Sequence, residues 1–175
     1  MNKVFNNVLQ EVTTGLNSVS SNDIEHFANL IGSCEGNIIG LGAGRMGYSL
    51  KGFIMRLSHL GKQAYMIGDT SLPRVKENDL ILVNSSSGST QSIYLFAKQA
   101  KDCGATIYLV TASPNSQIGK IADHVICYEN LTSSQLMKTY HEQLTWLLFD
   151  GVSQLLFNIM GHSRAYVEQN HSVLE

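Results

Sequence analysis

The chain has 175 residues, of which 43% are hydrophobic and 15% are charged, and its formal net charge at pH 7 is −2. This length fits one domain with a single sizeable core. The balanced charge, without a basic cluster, argues against a partner that is a nucleic acid or an anionic membrane. The low content of charged residues also predicts that other copies of the chain cover part of the surface, as in a homo-oligomer.

The cysteines and the N-terminal stretch indicate the compartment. Cys34, Cys103 and Cys127 are widely spaced and odd in number, which favours buried, reduced thiols over a disulfide framework or a zinc site. The stretch MNKVFNNVLQEV is polar and amphipathic, unlike a signal peptide, and no apolar run approaches about 18 residues. We therefore expect a cytoplasmic protein without a membrane-spanning segment.

Two helices are predicted within residues 2–33. The apolar residues of stretch 2–18 recur on one helical face, and a second helix is predicted to start at Asn22, with Glu25 placed as in a capping box. Two helices with so few charged residues do not make a separate DNA-binding module. We expect them to be packing elements.

Short apolar segments alternate with helical patterns through residues 37–128. Such alternation predicts a parallel sheet with helices on both faces, which is a three-layer α/β/α sandwich of the doubly wound class. The five predicted strands are 37–41, 63–67, 79–84, 106–110 and 124–128.

The remaining residues, 134–175, are predicted to be helical. One long helix is expected from Ser134 to about Gly161, and a short polar helix is expected in the tail. The apolar surface of the long helix is wider than one sheet face requires, which predicts packing against a neighbouring subunit.

A serine-rich loop follows the third predicted strand, in the sequence LILVNSSSGSTQS of residues 80–92. A glycine and several hydroxyls between a buried strand and a helix N-terminus are typical of an anion site, because unpaired N–H groups and the helix dipole favour negative charge there. The expected guest is a phosphate. No lysine follows the loop, which argues against a nucleotide held with Mg²⁺. The alternative is a flexible connector, but about seven residues between two core elements are too few for a linker.

A glycine loop, Gly42-x-Gly44-x-x-Gly47, follows the first predicted strand. It matches the dinucleotide fingerprint, and Asp69 lies where a ribose-binding acid would be expected, so a nucleotide-binding oxidoreductase is one alternative. In a doubly wound sheet of flavodoxin-like order, however, strands one and three are neighbours. In that order the glycine loop and the serine loop converge on one small anionic ligand.

The two loops, GAGRMG and SSSGST, resemble those of the sugar isomerase (SIS) domain family, whose members bind phosphosugars. The stretch GAGRMGYSLKGFIMRLSHLG, the segment GDTSLPRV and the terminal NHSVLE are similar, more narrowly, to 6-phospho-3-hexuloisomerases. This resemblance runs from about residue 37 to the end. It implies a single SIS domain over residues 1–175 and the interconversion of 3-hexulose 6-phosphate and fructose 6-phosphate.

The resemblance also implies roles for individual residues. It makes Glu142 the base for a 2,3-enediol and His171 a second catalytic residue, which would reach the site of an adjoining subunit in a tetramer or a dimer. No metal and no cofactor are implied. The residues implied to bind phosphate or substrate are Gly44, Arg45, Arg56, Ser85, Ser86, Ser87 and Thr90.

Each of these assignments has a structural alternative. Glu142 could simply favour the N-terminal dipole of its helix, Arg56 could form an ion pair, and His171 could be a solvated surface residue. The stretch HEQLT, which starts at His141, lacks the second histidine of a zinc motif. The competing function is a phosphosugar sensor that binds the same ligand and needs no base.

Overall fold

A computed structural model describes residues 2–174 of the chain. Met1 and Glu175, the predicted ends of the domain, lie outside the described residues, as does the last position of the NHSVLE motif. The helices and strands, in chain order, are α1 (Lys3–Asn17), α2 (Ser21–Ser33), β1 (Ile38–Gly42), α3 (Gly44–His59), β2 (Ala64–Met66), β3 (Leu80–Asn84), α4 (Gln91–Asp102), β4 (Thr106–Thr111), β5 (His124–Cys127), α5 (Tyr140–Met160) and α6 (Arg164–Gln169).

The five strands form one parallel sheet with the order β2-β1-β3-β4-β5. This is the flavodoxin-like order, so the predicted fold class is confirmed. Strands β1 and β3 are paired in register from Ile38 beside Leu80 to Gly42 beside Asn84. The loops that follow these two strands therefore leave the sheet side by side, at its carboxyl edge.

Helices cover both faces of the sheet. Helices α1, α2, α3 and α5 pack on one face, where Phe27, Leu50 and Leu144 are fully buried. Helix α4 packs on the other face together with residues of the long connection between β2 and β3, such as Leu72 and Val75. The central strands β1 and β3 are apolar up to their last residues because both of their faces are buried. Within residues 2–174, no helix is long and apolar enough to cross a membrane.

Two local predictions are corrected by the structure. Helix α2 begins at Ser21, earlier than Asn22, because the Ser20 hydroxyl accepts the N–H of Asp23 and caps the helix. The cysteines are less buried than expected, since Cys103 and Cys127 are exposed and Cys34 is half-buried. Burial still raises the pKa of the Cys34 thiol, which therefore stays protonated at neutral pH.

The prediction that one helix starts at Ser134 is also wrong, since α5 begins at Tyr140. The carboxylate of Glu11 accepts hydrogen bonds from the Ser133 hydroxyl at 2.6 Å and the Ser134 N–H at 2.9 Å, and from the Gln135 amide. These bonds hold residues 133–135 outside the helix and fix them against α1, and a short 3-10 helix, Leu136–Lys138, then leads into α5. Burial acts to raise the pKa of Glu11, but the hydrogen bonds outweigh it and lower that pKa to about 2.

Replacing Glu11→Gln should loosen the segment that leads into α5 and change the acid sensitivity of the fold. A carboxyl whose pKa is depressed in the folded state stabilises that state above its ordinary pKa of 4.5, and the contribution is lost as the pH falls toward about 2. We expect the midpoint of thermal unfolding to fall less between about pH 5 and pH 3 in Glu11→Gln than in the wild type. Glu25→Gln, on the exposed side of α2, is the control and should follow the wild type.

Candidate functional site

The turn from β1 into α3 depends on a close contact between two glycines. A Cβ atom on Gly42 would lie 2.8 Å from the Cα atom of Gly47, and a Cβ atom on Gly47 would lie 2.6 Å from the carbonyl oxygen of Gly42. Both distances are shorter than van der Waals contact, so side chains are excluded at both positions. The contact brings the N-terminus of α3, with Gly44 and Arg45 in its first turn, next to the end of the strand.

The serine loop, residues 85–90, is held in a fixed shape by its own side chains and by β4. The N–H of Gly88 donates to the Ser85 hydroxyl at 3.2 Å, and the N–H of Ser89 donates to the Ser87 hydroxyl at 3.3 Å. The carbonyl of Ser86 accepts the Thr111 hydroxyl at 3.1 Å. The loop therefore needs little rearrangement to receive a ligand.

The end of the serine loop leaves hydrogen-bond donors available for an anion. Thr90 stands at the N-cap of α4, but its hydroxyl makes no capping bond to the helix. The N–H groups of the first turn of α4 have no partner within the helix, and the positive end of the helix dipole lies there as well. This hydroxyl and these N–H groups are suited to three oxygen atoms of a phosphate.

Helix α5 brings a carboxylate to the same edge of the sheet. Glu142 is the third residue of α5, and its carboxylate accepts a hydrogen bond from the Arg45 guanidinium to form an ion pair. The Glu142 side chain is only 13% exposed, whereas the Arg45 side chain is 66% exposed. Together they border a hollow of about 350 Å³, whose other lining residues are Tyr48, Ser49, Gln143 and Trp146.

Three buried polar side chains that the sequence analysis did not single out lie beneath this hollow. They are Asn84 at the end of β3, Ser49 in α3 and Thr145 in α5, and each is at most 2% exposed. We call them the Asn84 cluster. The signal in the sequence was a single asparagine that ends an otherwise apolar strand, but its partners are distant in the chain and could not be identified from it.

Two predicted site residues, Arg56 and His171, lie elsewhere. The His171 ring packs against the His59 ring with their centroids 4.9 Å apart, and the Arg56 guanidinium lies 3.3 Å from the His59 ring. His59 follows Arg45 by 14 positions in α3, which corresponds to about 21 Å at the helical rise. Within one chain, the structure therefore does not bring Arg56 and His171 to Glu142.

Comparison with known proteins identifies the family. The family model for the SIS domain matches residues 33–149. The chain belongs to the SIS domain family. The resemblance noted from GAGRMG and SSSGST is thereby confirmed, and the matched residues include both loops and Glu142.

Several proteins are similar to this chain over nearly its whole length. The chain is 32% identical over 184 residues to an uncharacterized protein of Aeropyrum pernix, with 91% of this chain and 87% of that protein covered. It is 30% identical over 177 residues to the 3-hexulose-6-phosphate isomerase of Bacillus subtilis, with 96% and 95% covered. A crystal structure from Methanococcus jannaschii, from which a function of 3-hexulose-6-phosphate isomerase was inferred, matches with a TM-score of 0.89 and 25% identity, covering 99% of this chain and 100% of that one.

The residues that suggested a dinucleotide have structural roles in this SIS domain. The Asp69 carboxylate accepts the N–H of Met66 at 2.8 Å and closes the turn after β2.

His162 has a packing role outside the site. Its ring stacks on the ring of Tyr166 with the centroids 4.1 Å apart. Within residues 2–174, no three histidine, cysteine, aspartate or glutamate side chains lie together as a metal site.

A larger hollow, of about 730 Å³, lies at the opposite edge of the sheet, where the strands begin. Its buried carboxylate, Asp79, already accepts the N–H groups of Asn37 and Lys76, both at 2.8 Å. A satisfied carboxylate holds the ends of these loops and offers little to a further ligand. The smaller hollow at the carboxyl edge is therefore the candidate functional site, because Glu142 and the first turns of α3 line it and the serine loop begins at the same edge of the sheet.

Replacing Gly88→Ala should destabilise the serine loop. Gly88 has a φ of +58°, and a Cβ atom there would overlap the Ser116 side chain. We expect a loss of about 1–3 kcal/mol in the free energy of unfolding, measured by urea denaturation. Gly151→Ala is the matched control, because Gly151 lies in α5 with no atom near its Cβ position, and this change should be neutral or stabilising by up to about 1 kcal/mol. Equal stability of Gly88→Ala and the wild type would contradict the prediction.

Proposed function

We propose that the protein is a phosphosugar ketose isomerase that interconverts 3-hexulose 6-phosphate and fructose 6-phosphate. The observation that carries the proposal is that the largely buried carboxylate of Glu142 lies in a hollow at the sheet edge where the serine loop begins, since Asn84, the residue before the loop, lies 3.2 Å from the Thr145 hydroxyl in the same helix as Glu142. The names of relatives at about 30% identity support the same class of reaction. No metal and no cofactor enter the proposed mechanism.

In the proposed complex, the serine loop binds the phosphate of the sugar. The hydroxyls of Ser85, Ser86, Ser87 and Thr90 and the first turn of α4 supply the donors. Gly44 allows the ligand to approach the first turn of α3, whose dipole adds to that of α4. The anchored phosphate then holds the carbon atoms C2 and C3 of the sugar in a fixed orientation, which lowers the entropic cost of reaction.

In the proposed reaction, Glu142 transfers the proton. Its carboxylate takes the proton from C2 of 3-hexulose 6-phosphate while the C3 carbonyl oxygen takes a proton from the His171 ring of a second copy, which yields a 2,3-enediol. Glu142 then returns its proton to C3, and the C2 hydroxyl gives its proton back to the His171 ring as it becomes the carbonyl of fructose 6-phosphate. Such transfer needs a carboxylate within hydrogen-bond reach of both carbons, in a site with little water.

Arg45 is proposed to move from Glu142 to the phosphate when the sugar binds. The guanidinium is the exposed partner of the ion pair and carries a long, flexible stem, so it can turn while Glu142 stays in place. A phosphate dianion is a stronger acceptor for a guanidinium than a single carboxylate. The exchange would release the carboxylate for proton transfer only when ligand is present.

Arg56 and His171 are proposed to act on a second copy of the chain. They lie at the other end of α3 from Arg45 and cannot act at the site of their own chain in this arrangement. Exposed apolar side chains on α3 and α5, Met55 and Trp146 among them, support a surface covered by another copy. In a symmetric homo-oligomer, such as a tetramer or a dimer, His171 of one copy would then complete the site of the next.

We further propose that all these elements work as one domain. Residues of α1, α2, α3 and α5 share a continuous core on one face of the sheet, including Val12, Phe27 and Leu156. The N-terminal helices and the C-terminal helical segment are thus integral to the SIS domain in this proposal.

Replacing Glu142→Gln should abolish turnover and spare binding. We expect turnover of fructose 6-phosphate to fall by about 10²–10⁴-fold, because the amide keeps the shape of the side chain but cannot accept the proton. The measurement is proton NMR in D₂O, in which the 2,3-enediol places deuterium at C3 and not at C1. Binding is followed by the emission of Trp146, the single tryptophan of the chain, which lines the hollow.

The control for this experiment is Glu77→Gln, an exposed carboxylate at the opposite edge of the sheet. This variant should exchange deuterium at the wild-type rate. Equal loss of binding and turnover in Glu142→Gln would refute its role as the base. Binding by the wild type without any exchange would favour a phosphosugar sensor.

Mixing two inactive variants should restore activity if sites are shared between copies. Glu142→Gln and His171→Ala are each expected to be inactive, but a mixed pair of chains has one site with both residues intact. After equal mixing and exchange of subunits in a two-fold assembly, about a quarter of the sites should be intact, and activity should reach about that fraction. Mixing Glu142→Gln with a Glu142→Gln/His171→Ala double variant is the control and should stay inactive. A fully active His171→Ala variant would contradict the shared site.

A further inference from the structure

The start of α5, which carries Glu142, lacks the side-chain cap that usually fixes a helix N-terminus. Thr139 stands at the N-cap position, but its hydroxyl donates to the carbonyl of Leu136 at 2.6 Å and makes no bond to the first turn. A missing cap favours fraying of the first turn. Contacts from the inner side of the helix therefore help to fix the position of Glu142.

The Asn84 cluster supplies such contacts, because it joins all three elements that form the site. The amide nitrogen of Asn84 lies 2.9 Å from the Ser49 hydroxyl and 3.2 Å from the Thr145 hydroxyl, and the two hydroxyls are 3.0 Å apart. Asn84 is also the last residue before the serine loop. One side chain thus links the serine loop, the first turns of α3 and the second turn of α5.

The hydrogen bonds of the cluster connect Asn84 to the backbone of Glu142 through Thr145. The amide nitrogen of Asn84 lies within hydrogen-bond distance of the Met46 carbonyl and of the Ser49 and Thr145 hydroxyls. The Ser49 hydroxyl lies 3.0 Å from both the Met46 carbonyl and the Thr145 hydroxyl. The Thr145 hydroxyl donates to the carbonyl of Glu142 at 3.3 Å.

We propose that Thr145 is a positioning residue for Glu142, held in place by Asn84 and Ser49. The proposal rests on the proposed function, in which Glu142 is the base. Asn84 and Thr145 are fully buried and do not line the hollow, whereas Ser49 borders it. The cluster sets the height and rotation of the first turn of α5 above the serine loop, and hence the distance between the carboxylate and a sugar whose phosphate occupies that loop.

The experiment compares Thr145→Val, which keeps the shape but removes the hydroxyl, with Thr145→Ser, which keeps the hydroxyl. We expect kcat of Thr145→Val to fall by roughly 10–100-fold with KM for fructose 6-phosphate within about twofold of the wild type, because misplacement of a base by about 1 Å costs rate rather than affinity. Thr145→Ser should stay within about threefold of the wild-type kcat. Ser49→Ala, which removes the contact between α3 and the Thr145 hydroxyl, should lower kcat as well.

The matched control is Ser153→Ala, further along the same helix. Ser153 is also buried, and its hydroxyl also donates to a carbonyl of α5, that of Phe149 at 2.8 Å. Its removal should leave kcat unchanged. An equal fall in kcat for Ser153→Ala and Thr145→Val, or no rescue by Thr145→Ser, would reduce the cluster to a general contribution to stability and overturn the proposal.

Amide hydrogen exchange of residues 141–146 provides a readout that does not depend on turnover. Thr145→Val and Ser49→Ala should raise the rate of amide exchange in these first two turns of α5, while Thr145→Ser and Ser153→Ala should leave that rate unchanged. If the wild type binds fructose 6-phosphate without converting it, the isomerase proposal fails and the exchange data still decide whether the cluster fixes Glu142. Unchanged exchange in Thr145→Val would overturn the positioning role.

Discussion

The pairing of β1 with β3 is the constraint on which the rest of the site depends. These strands run side by side so that Gly42 lies beside Asn84, and each is followed at once by a helix or by a short loop into one. The N-termini of α3 and α4 are therefore neighbours, and their positive dipole ends reinforce each other at one edge of the sheet. The contact between Gly42 and Gly47 keeps this edge open, because larger residues would push α3 away from the strand.

A second constraint is the placement of α5, which must bring a carboxylate to an edge that favours anions. Glu142 alone would compete with a phosphate for the same positive field, and the Arg45 guanidinium offsets this by pairing with the carboxylate. The helix is fixed from two sides, at its leading segment by Glu11 of α1 and at its second turn by the Asn84 cluster. Glu142 is thus placed by residues that belong to the first helix and the third strand.

More of the fold than of the candidate site could be predicted from the sequence. Apolar runs buried on both faces are readily recognised, so the five strands, their parallel arrangement and the two loops followed from the sequence. The start of α5 did not, because Ser134 is bound by a carboxylate of α1 more than 120 positions earlier, and this tertiary contact overrides the helical pattern. The same reason hid Ser49 and Thr145, whose hydroxyls meet only because α3 and α5 pack together. Arg56 and His171 lie beside His59 and away from Glu142, because the tail folds back on the end of α3, and no local pattern could reveal this packing.

The fingerprint Gly42-x-Gly44-x-x-Gly47 illustrates how one loop geometry can serve different ligands. The glycines satisfy a packing requirement of the strand-to-helix turn, and that requirement is the same for a dinucleotide and for a sugar phosphate. What distinguishes the two is the surroundings of the loop. The acid that would bind a ribose, Asp69, has its carboxylate committed to the N–H of Met66, while a second loop of hydroxyls lies one strand away. The proposed ligand, with one phosphate and a short polar body, would satisfy both loops at once, whereas an extended dinucleotide would leave the hydroxyls of the serine loop without a role.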